Sequence, residues 1–120
     1  MAWPEGDALV LLHNPRCSKS RAAHALLSER GVDFVERRYL DDPLSRAELA
    51  SLRERLARPA AEWVRRGEAA FAEVGLDPGS GDAQILDAMA AHPILIERPI
   101  LVRGARAMVG RPPERVLELL

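Results

Sequence analysis

The sequence predicts an α/β protein whose elements run β-α-β, then a helical block, then β-β-α. Three observations predict it. Residues 8–12, Ala-Leu-Val-Leu-Leu, form a short continuous apolar run, which suits a strand buried on both faces of a helix-covered sheet. A helical pattern and a second strand-like stretch follow directly, so the two strands are expected to lie parallel in a right-handed βαβ unit. Near the C-terminus, Arg103-Gly104-Ala105-Arg106 reads as a hairpin turn between two apolar triplets.

The first strand is expected to stop at His13-Asn14-Pro15, a turn-forming cluster. From residue 18 to about 30, Ala23, Leu26 and Leu27 share one helix face, and Gly31 stands in the usual C-terminal position. Residues 32–40 read as a second strand with charged residues inside it, and Asp41-Asp42-Pro43 is a break. Ser45 with Glu48 three positions on matches a capping box, which opens a helix to about residue 57. Pro59 is expected to start another helix through Trp63 to Arg65 or Arg66, ended by Gly67. A further short helix should reach Val74, with a loop over 75–81. Asp82 is expected to cap a helix through Leu86, Met89 and Ala90 that His92-Pro93 ends. Residues 44 to 92 thus form a helical insert. Ile100-Leu101-Val102 and Ala107-Met108-Val109 are the last strands, and Gly110-Arg111-Pro112-Pro113 leads into a final helix to Leu120.

The 120 residues fit one domain covering the whole chain, and a 48% hydrophobic fraction is enough to build a core. With 29% charged residues the composition is that of a globular protein, neither disordered nor fibrous. Basic and acidic residues number 17 and 18, for a net charge of −1, which argues against a nucleic-acid partner. Lys19 is the only lysine; the arginine and alanine bias is what a GC-rich genome would produce. The opening MAWPEGDA has neither a basic nor an apolar region of a signal peptide, and no apolar run approaches a membrane span. A reducing cytoplasm is therefore the expected location, with no membrane partner. A single cysteine, Cys17, rules out an internal disulfide, so a redox cycle through it must be completed by a thiol from another molecule. One Cys with scattered His also lacks metal-ligand spacing.

The chemistry concentrates in HNPRCSKSR, residues 13–21, between the first strand and the first helix. In open α/β sheets the carboxyl ends of strands are where ligands bind. A cysteine at a helix N-terminus feels the positive end of the helix dipole, which favours the thiolate, and Arg16, Lys19, Arg21 and His13 are close in sequence. Free backbone N–H groups of the first turn suit an anion. Lys19 opposes the dipole unless an anion or thiolate offsets it, so it is a candidate for anion binding rather than a solvated surface charge. A buried structural thiol is the alternative for Cys17, but Arg, Ser and Lys are not core flanks. His13 either tunes the thiol electrostatically or is a strand-end histidine satisfied by backbone. His24 and His92 read as helix-surface and helix-end residues without chemistry.

HNPRCSKSR, HPILIERPILV and GRPPERVLELL together resemble the ArsC-type, glutaredoxin-linked arsenate reductase family over nearly the whole chain, from Leu9 to Leu120. That resemblance implies a thioredoxin-like fold with an inserted helical region. It also implies that Cys17 is the catalytic nucleophile attacking arsenate, and that Arg65 in WVRRGE, Arg98 in ERPI and Arg111 in GRPP bind the oxyanion, with Arg66 next to Arg65 as a possible substitute. Arg98-Pro99 matches the cis-proline position facing the active-site loop. His13, Arg16 and Lys19 are then thiol-tuning residues. Glutathione, a co-substrate rather than a bound cofactor, attacks the thiol–arsenic intermediate. Glutaredoxin reduces the mixed disulfide, and arsenite is released. The best-known members carry Gly-Thr after the cysteine. Ser18-Lys19 stands here, as in the YfgD-like branch, which alters the lining of the anion pocket and bears on oxyanion specificity more than on cysteine chemistry. Spx-type regulators share the fold, and many use Cys-x-x-Cys as a switch; Ser20 at the second position excludes an internal one. A generic glutathione-dependent thiol oxidoreductase and an Spx-like or anion-binding protein without turnover are the alternatives. Retention of Cys17 with three matching arginines favours catalysis.

Overall fold

The computed structural model describes residues 8–120; the expectation that the first residues hold no signal peptide lies outside this span, save for Ala8. Four strands form one sheet in the order β2-β1-β3-β4: β1 (Leu9–Leu12), β2 (Phe34–Arg37), β3 (Ile100–Arg103) and β4 (Arg106–Val109). β1 runs parallel to β2 and antiparallel to β3, and β3 pairs antiparallel with β4.

The apolar run of β1 is explained by its central place. Val10 and Leu12 face one core with Trp63, Leu49, Leu52, Met89 and Ile100. Leu9 and Leu11 face the other, with Ala23, Leu27, Leu101, Val116 and Leu119. Both faces are dry, so each strand residue is apolar. β2 is an edge strand, shorter than the expected 32–40; of its charged residues Glu36 is partly exposed, while Arg37 is buried and tolerated because its guanidinium is paired with Glu48.

α1 (Ser18–Glu29) ends where Gly31 adopts φ +66°, a left-handed turn that glycine enters without steric cost. α2 (Arg46–Leu56) opens with the expected capping box, the Ser45 hydroxyl accepting from Glu48 N and the Glu48 carboxylate from Ser45 N, both at 3.0 Å. Such a cap is worth about 1 kcal/mol. Beyond it lie α3 (Ala69–Glu73) and α4 (Asp82–Ala91).

Three expectations are corrected. The helix from Pro59 to residue 65 or 66 is only a 3-10 turn, Ala60–Glu62. Beyond Trp63 the backbone donors and acceptors turn to another segment: Val64 bridges Ile96, Arg65 N donates to Leu95 O at 2.7 Å, and Glu97 N donates to Trp63 O at 3.0 Å. Asp82 is not the cap of α4, whose N-cap is Gly81; its carboxylate instead accepts from Ala60 N at 2.8 Å and from Arg53 Nε at 2.7 Å, tying α4 to the 3-10 turn and to α2. The final helix, Pro113–Leu119, has the tighter 3-10 winding, with Arg115 N donating to Pro112 O. Among the described residues no helix is long and apolar enough to cross a membrane.

Candidate active site

Cys17 is the N-cap residue of α1, extended in backbone, its N–H donating to Asn14 O at 3.0 Å. Asn14 and Pro15 make the turn out of β1; Asn14 Oδ1 accepts from Arg16 N at 3.0 Å, and the Ser20 hydroxyl accepts from Asn14 N at 3.0 Å. The loop is therefore built by its own polar side chains, leaving the thiol half-buried at the helix end. Burial pushes the Cys17 thiol up, but the backbone N–H groups of Ser20 and Lys19 and the Arg98 guanidinium, acting as a nearby charge and as a donor, outweigh it, so its pKa lies below the ordinary thiol value. Lys19 acts here through its amide; it and Arg16 are both exposed residues.

His13 is nearly fully buried, its ring Nδ1 2.7 Å from the Ser20 hydroxyl. Of the two roles open for it, satisfaction by backbone does not describe the ring, which meets a side chain. Burial, the largest influence, lowers the His13 pKa, and the facing Glu36 carboxylate only partly counters it. Burial thus favours the neutral ring, and its contact with the hydroxyl helps fix Ser20, whose amide faces the thiol. His24, assigned no chemistry from sequence, belongs to the same cluster: its Nε2 lies 3.0 Å from Glu36 Oε1, and its ring is 5.0 Å from that of His13. Parallel pairing of β1 with β2 brings Glu36 beside His13, and α1 adds His24; no motif spacing announces the group.

The remote arginines converge. A cavity of about 510 Å³ is lined by Arg65, Arg66, Arg98 and Arg111 together with Glu68 and Glu97. The Val64–Ile96 bridge brings Arg65 beside the segment carrying Arg98. Arg98-Pro99 is cis, as expected, and Arg111-Pro112 is cis as well. Gly110 N donates to Pro99 O at 2.8 Å, and a Cβ on Gly110 would stand 2.8 Å from the Pro99 ring and 2.9 Å from Val116. Only glycine allows this approach, which sets Arg111 next to Arg98. Arg98 joins thiol and cavity, since it lies against Cys17 and lines the arginine-rich wall. Among the described residues its Nε is buried with no hydrogen-bond partner, a donor the fold itself does not satisfy. Arg65, rather than Arg66, is the more withdrawn of the neighbours; it pairs with Glu68 at 2.6 Å, whereas Arg66 donates to Ala61 O at 3.2 Å.

Two residues at this site were not foreseen. Tyr39 is buried, its pKa pushed up to about 12, chiefly by that burial, in a neighbourhood that includes Arg98, Arg65, Cys17 and Glu97. Glu97 places Oε1 2.8 Å from Arg111 Nη1 and 3.5 Å from Arg98 Nη1. Its position directly before Arg98 in ERPI was the available signal for Glu97; Tyr39 had none.

The ArsC family model matches residues 12–119, which include Cys17 and every arginine of the cavity. The chain belongs to the ArsC family. The ArsC relatives span its length: an arsenate reductase of Neisseria meningitidis serogroup A is 42% identical over 93% of this chain and 97% of its own. The uncharacterized protein YfgD of Escherichia coli K12 is 41% identical over 92% and 94%. The solved structure of an arsenate reductase from Vibrio cholerae superimposes with a TM-score of 0.89 at 41% identity, covering 97% of this chain and 100% of that one. The thioredoxin-like α/β architecture expected from the three motifs is thus the fold of this ArsC protein.

Proposed function

We propose that the protein reduces arsenate with glutathione and glutaredoxin, using Cys17 as nucleophile. Arg98 carries this reading, because one guanidinium lies against the lowered thiol and lines the cavity that also holds Arg65 and Arg111. A planar, permanently charged fork suits a tetrahedral oxyanion. The Cys17 thiolate attacks arsenic, forming an S–As(V) bond while an oxygen leaves, protonated, as water. The glutathione thiol then attacks the Cys17 sulfur. The electron pair of the S–As bond stays on arsenic, which departs as arsenite, and Cys17 is left in a mixed disulfide with glutathione. Glutaredoxin removes the glutathionyl group by thiol–disulfide exchange.

The test is arsenate-dependent NADPH oxidation in the presence of glutathione, glutaredoxin and glutathione reductase. Wild type should turn over and Cys17→Ser should fall to background with an unchanged melting temperature, since a hydroxyl is scarcely ionised without a general base. No arsenate dependence, with turnover of a glutathione mixed disulfide retained, would replace this reading by the plain thiol oxidoreductase.

A further inference from the structure

The cavity holds its own anion. Glu97 Oε1 is within 2.8 Å of Arg111 Nη1 and 3.5 Å of Arg98 Nη1, so one carboxylate oxygen already engages donors from two of the three arginines. Arg65 is engaged in the same way by Glu68 at 2.6 Å. An oxyanion entering beside Cys17 must compete with these carboxylates for the same guanidinium faces. We propose that Glu97 is a specificity-determining residue, an intramolecular competitor that admits to the thiol only anions able to replace both of its arginine contacts. The proposal rests on the reading of this cavity as an oxyanion site.

The physics sets a threshold. A monoanionic carboxylate from solution offers Arg98 and Arg111 what Glu97 already offers, and pays the entropy of association besides, so it gains nothing by exchange. A tetrahedral oxyanion with more charge and four oxygens engages several guanidinium forks at once, including the unpartnered Arg98 Nε. A displaced Glu97 also has somewhere to go. It lines a second, adjoining cavity of about 170 Å³ where Arg58, Arg111 and Arg115 outnumber the opposing Glu62 carboxylate, so a displaced Glu97 keeps cations within reach.

The experiment measures protection of Cys17 from iodoacetamide by arsenate and by acetate, in wild type, Glu97→Gln and Asp87→Asn. The last removes a carboxylate from the exposed Arg46–Asp87 pair between α2 and α4 and serves as a charge-matched control. Arsenate protection of wild type checks the oxyanion site itself. In Glu97→Gln the half-protecting arsenate concentration should fall about tenfold, and acetate should begin to protect, because the competing charge is gone. The rate with anionic iodoacetate relative to neutral iodoacetamide should also rise roughly threefold or more. Asp87→Asn should match wild type throughout. Arsenate protection that is unchanged or weaker in Glu97→Gln overturns the proposal, the weaker case meaning that Glu97 positions the arginines instead. Should arsenate protect wild type and the variant as expected while neither reduces it, only the catalytic reading falls.

Discussion

Arg37 and Arg98 are both withdrawn from solvent, with 2% and 16% of their side chains exposed, yet their surroundings differ in kind. At the junction of β2 and α2 the chain saturates Arg37. Its Nη1 and Nη2 donate to Glu48 at 2.6 and 3.1 Å, Nη2 also to Pro43 O at 2.9 Å, and Nε to Asp42 O at 3.2 Å. At the cavity the chain leaves Arg98 Nε without an acceptor and gives the rest of the guanidinium a thiol and a 3.5 Å contact with Glu97. Where the fold supplies every partner, a buried charge serves structure. Where it withholds one beside a thiol, a buried donor is left unsatisfied.

The largest effect that would test this contrast is Arg37→Ala. It strands the Glu48 carboxylate, 11% exposed, beside an unfilled space, so stability should fall by about 3–5 kcal/mol, read by denaturant unfolding. Turnover per folded molecule should be unchanged. Arg98→Ala should behave in the opposite sense: kcat/KM for arsenate lower by about ten- to a hundredfold, from the loss of a charge-assisted contact, with the melting temperature hardly moved. Arg98→Lys should be impaired too, because lysine keeps the charge but loses the fork. If Arg98→Ala unfolded the protein as Arg37→Ala does, the distinction between the two sites would collapse.

Acid separates them further. Burial raises the Glu48 pKa, but the Arg37 guanidinium and the Ser45 N–H outweigh it and hold the carboxyl below its ordinary 4.5. The junction's contribution is therefore complete above pH 4.5 and is lost as pH falls through the lowered value. Cys17, lowered from an ordinary 9.0, should keep its alkylation rate below that pH and lose it as pH falls through the lowered value, where protonation removes the thiolate. A reactivity midpoint at or above 9.0 would contradict the assignment. The smallest effect belongs to Arg53→Ala. Its pair with Asp82 is 39% and 35% exposed, which limits the loss to under about 1 kcal/mol, and arsenate turnover should be unaffected. A large catalytic loss there would mean that the helical insert does more than pack.

Local chemistry was legible without coordinates wherever its cause lay within a few residues. The apolar run of β1, the Ser45–Glu48 box, the glycine at position 31, the hairpin at 103–106 and the helix-end placement of Cys17 are all short-range effects, and each is present. Two of the failures share the opposite property. Residues 63–66 read as helical because they lie between Pro59, a helix starter, and Gly67, a helix breaker, but their backbone partners lie some thirty residues on, at Leu95 and Glu97. Asp82 looks like a cap from its neighbours and is drawn instead to Ala60 and Arg53.

By itself, then, the sequence determined the order of elements, the single cysteine and its place at a helix terminus, because strand burial, capping and the helix dipole act over one or two turns. It also singled out Arg65, Arg98 and Arg111, through motifs shared with a family, without showing why they should meet. Their meeting was decided by tertiary structure: the Val64–Ile96 bridge carries Arg65, and the approach of Gly110 to Pro99 sets Arg111 beside Arg98. So were the pairing of Glu97 with two of those arginines and the burial of His13 against Ser20. Charge interactions and desolvation depend on distance through space, and only the closed chain sets those distances.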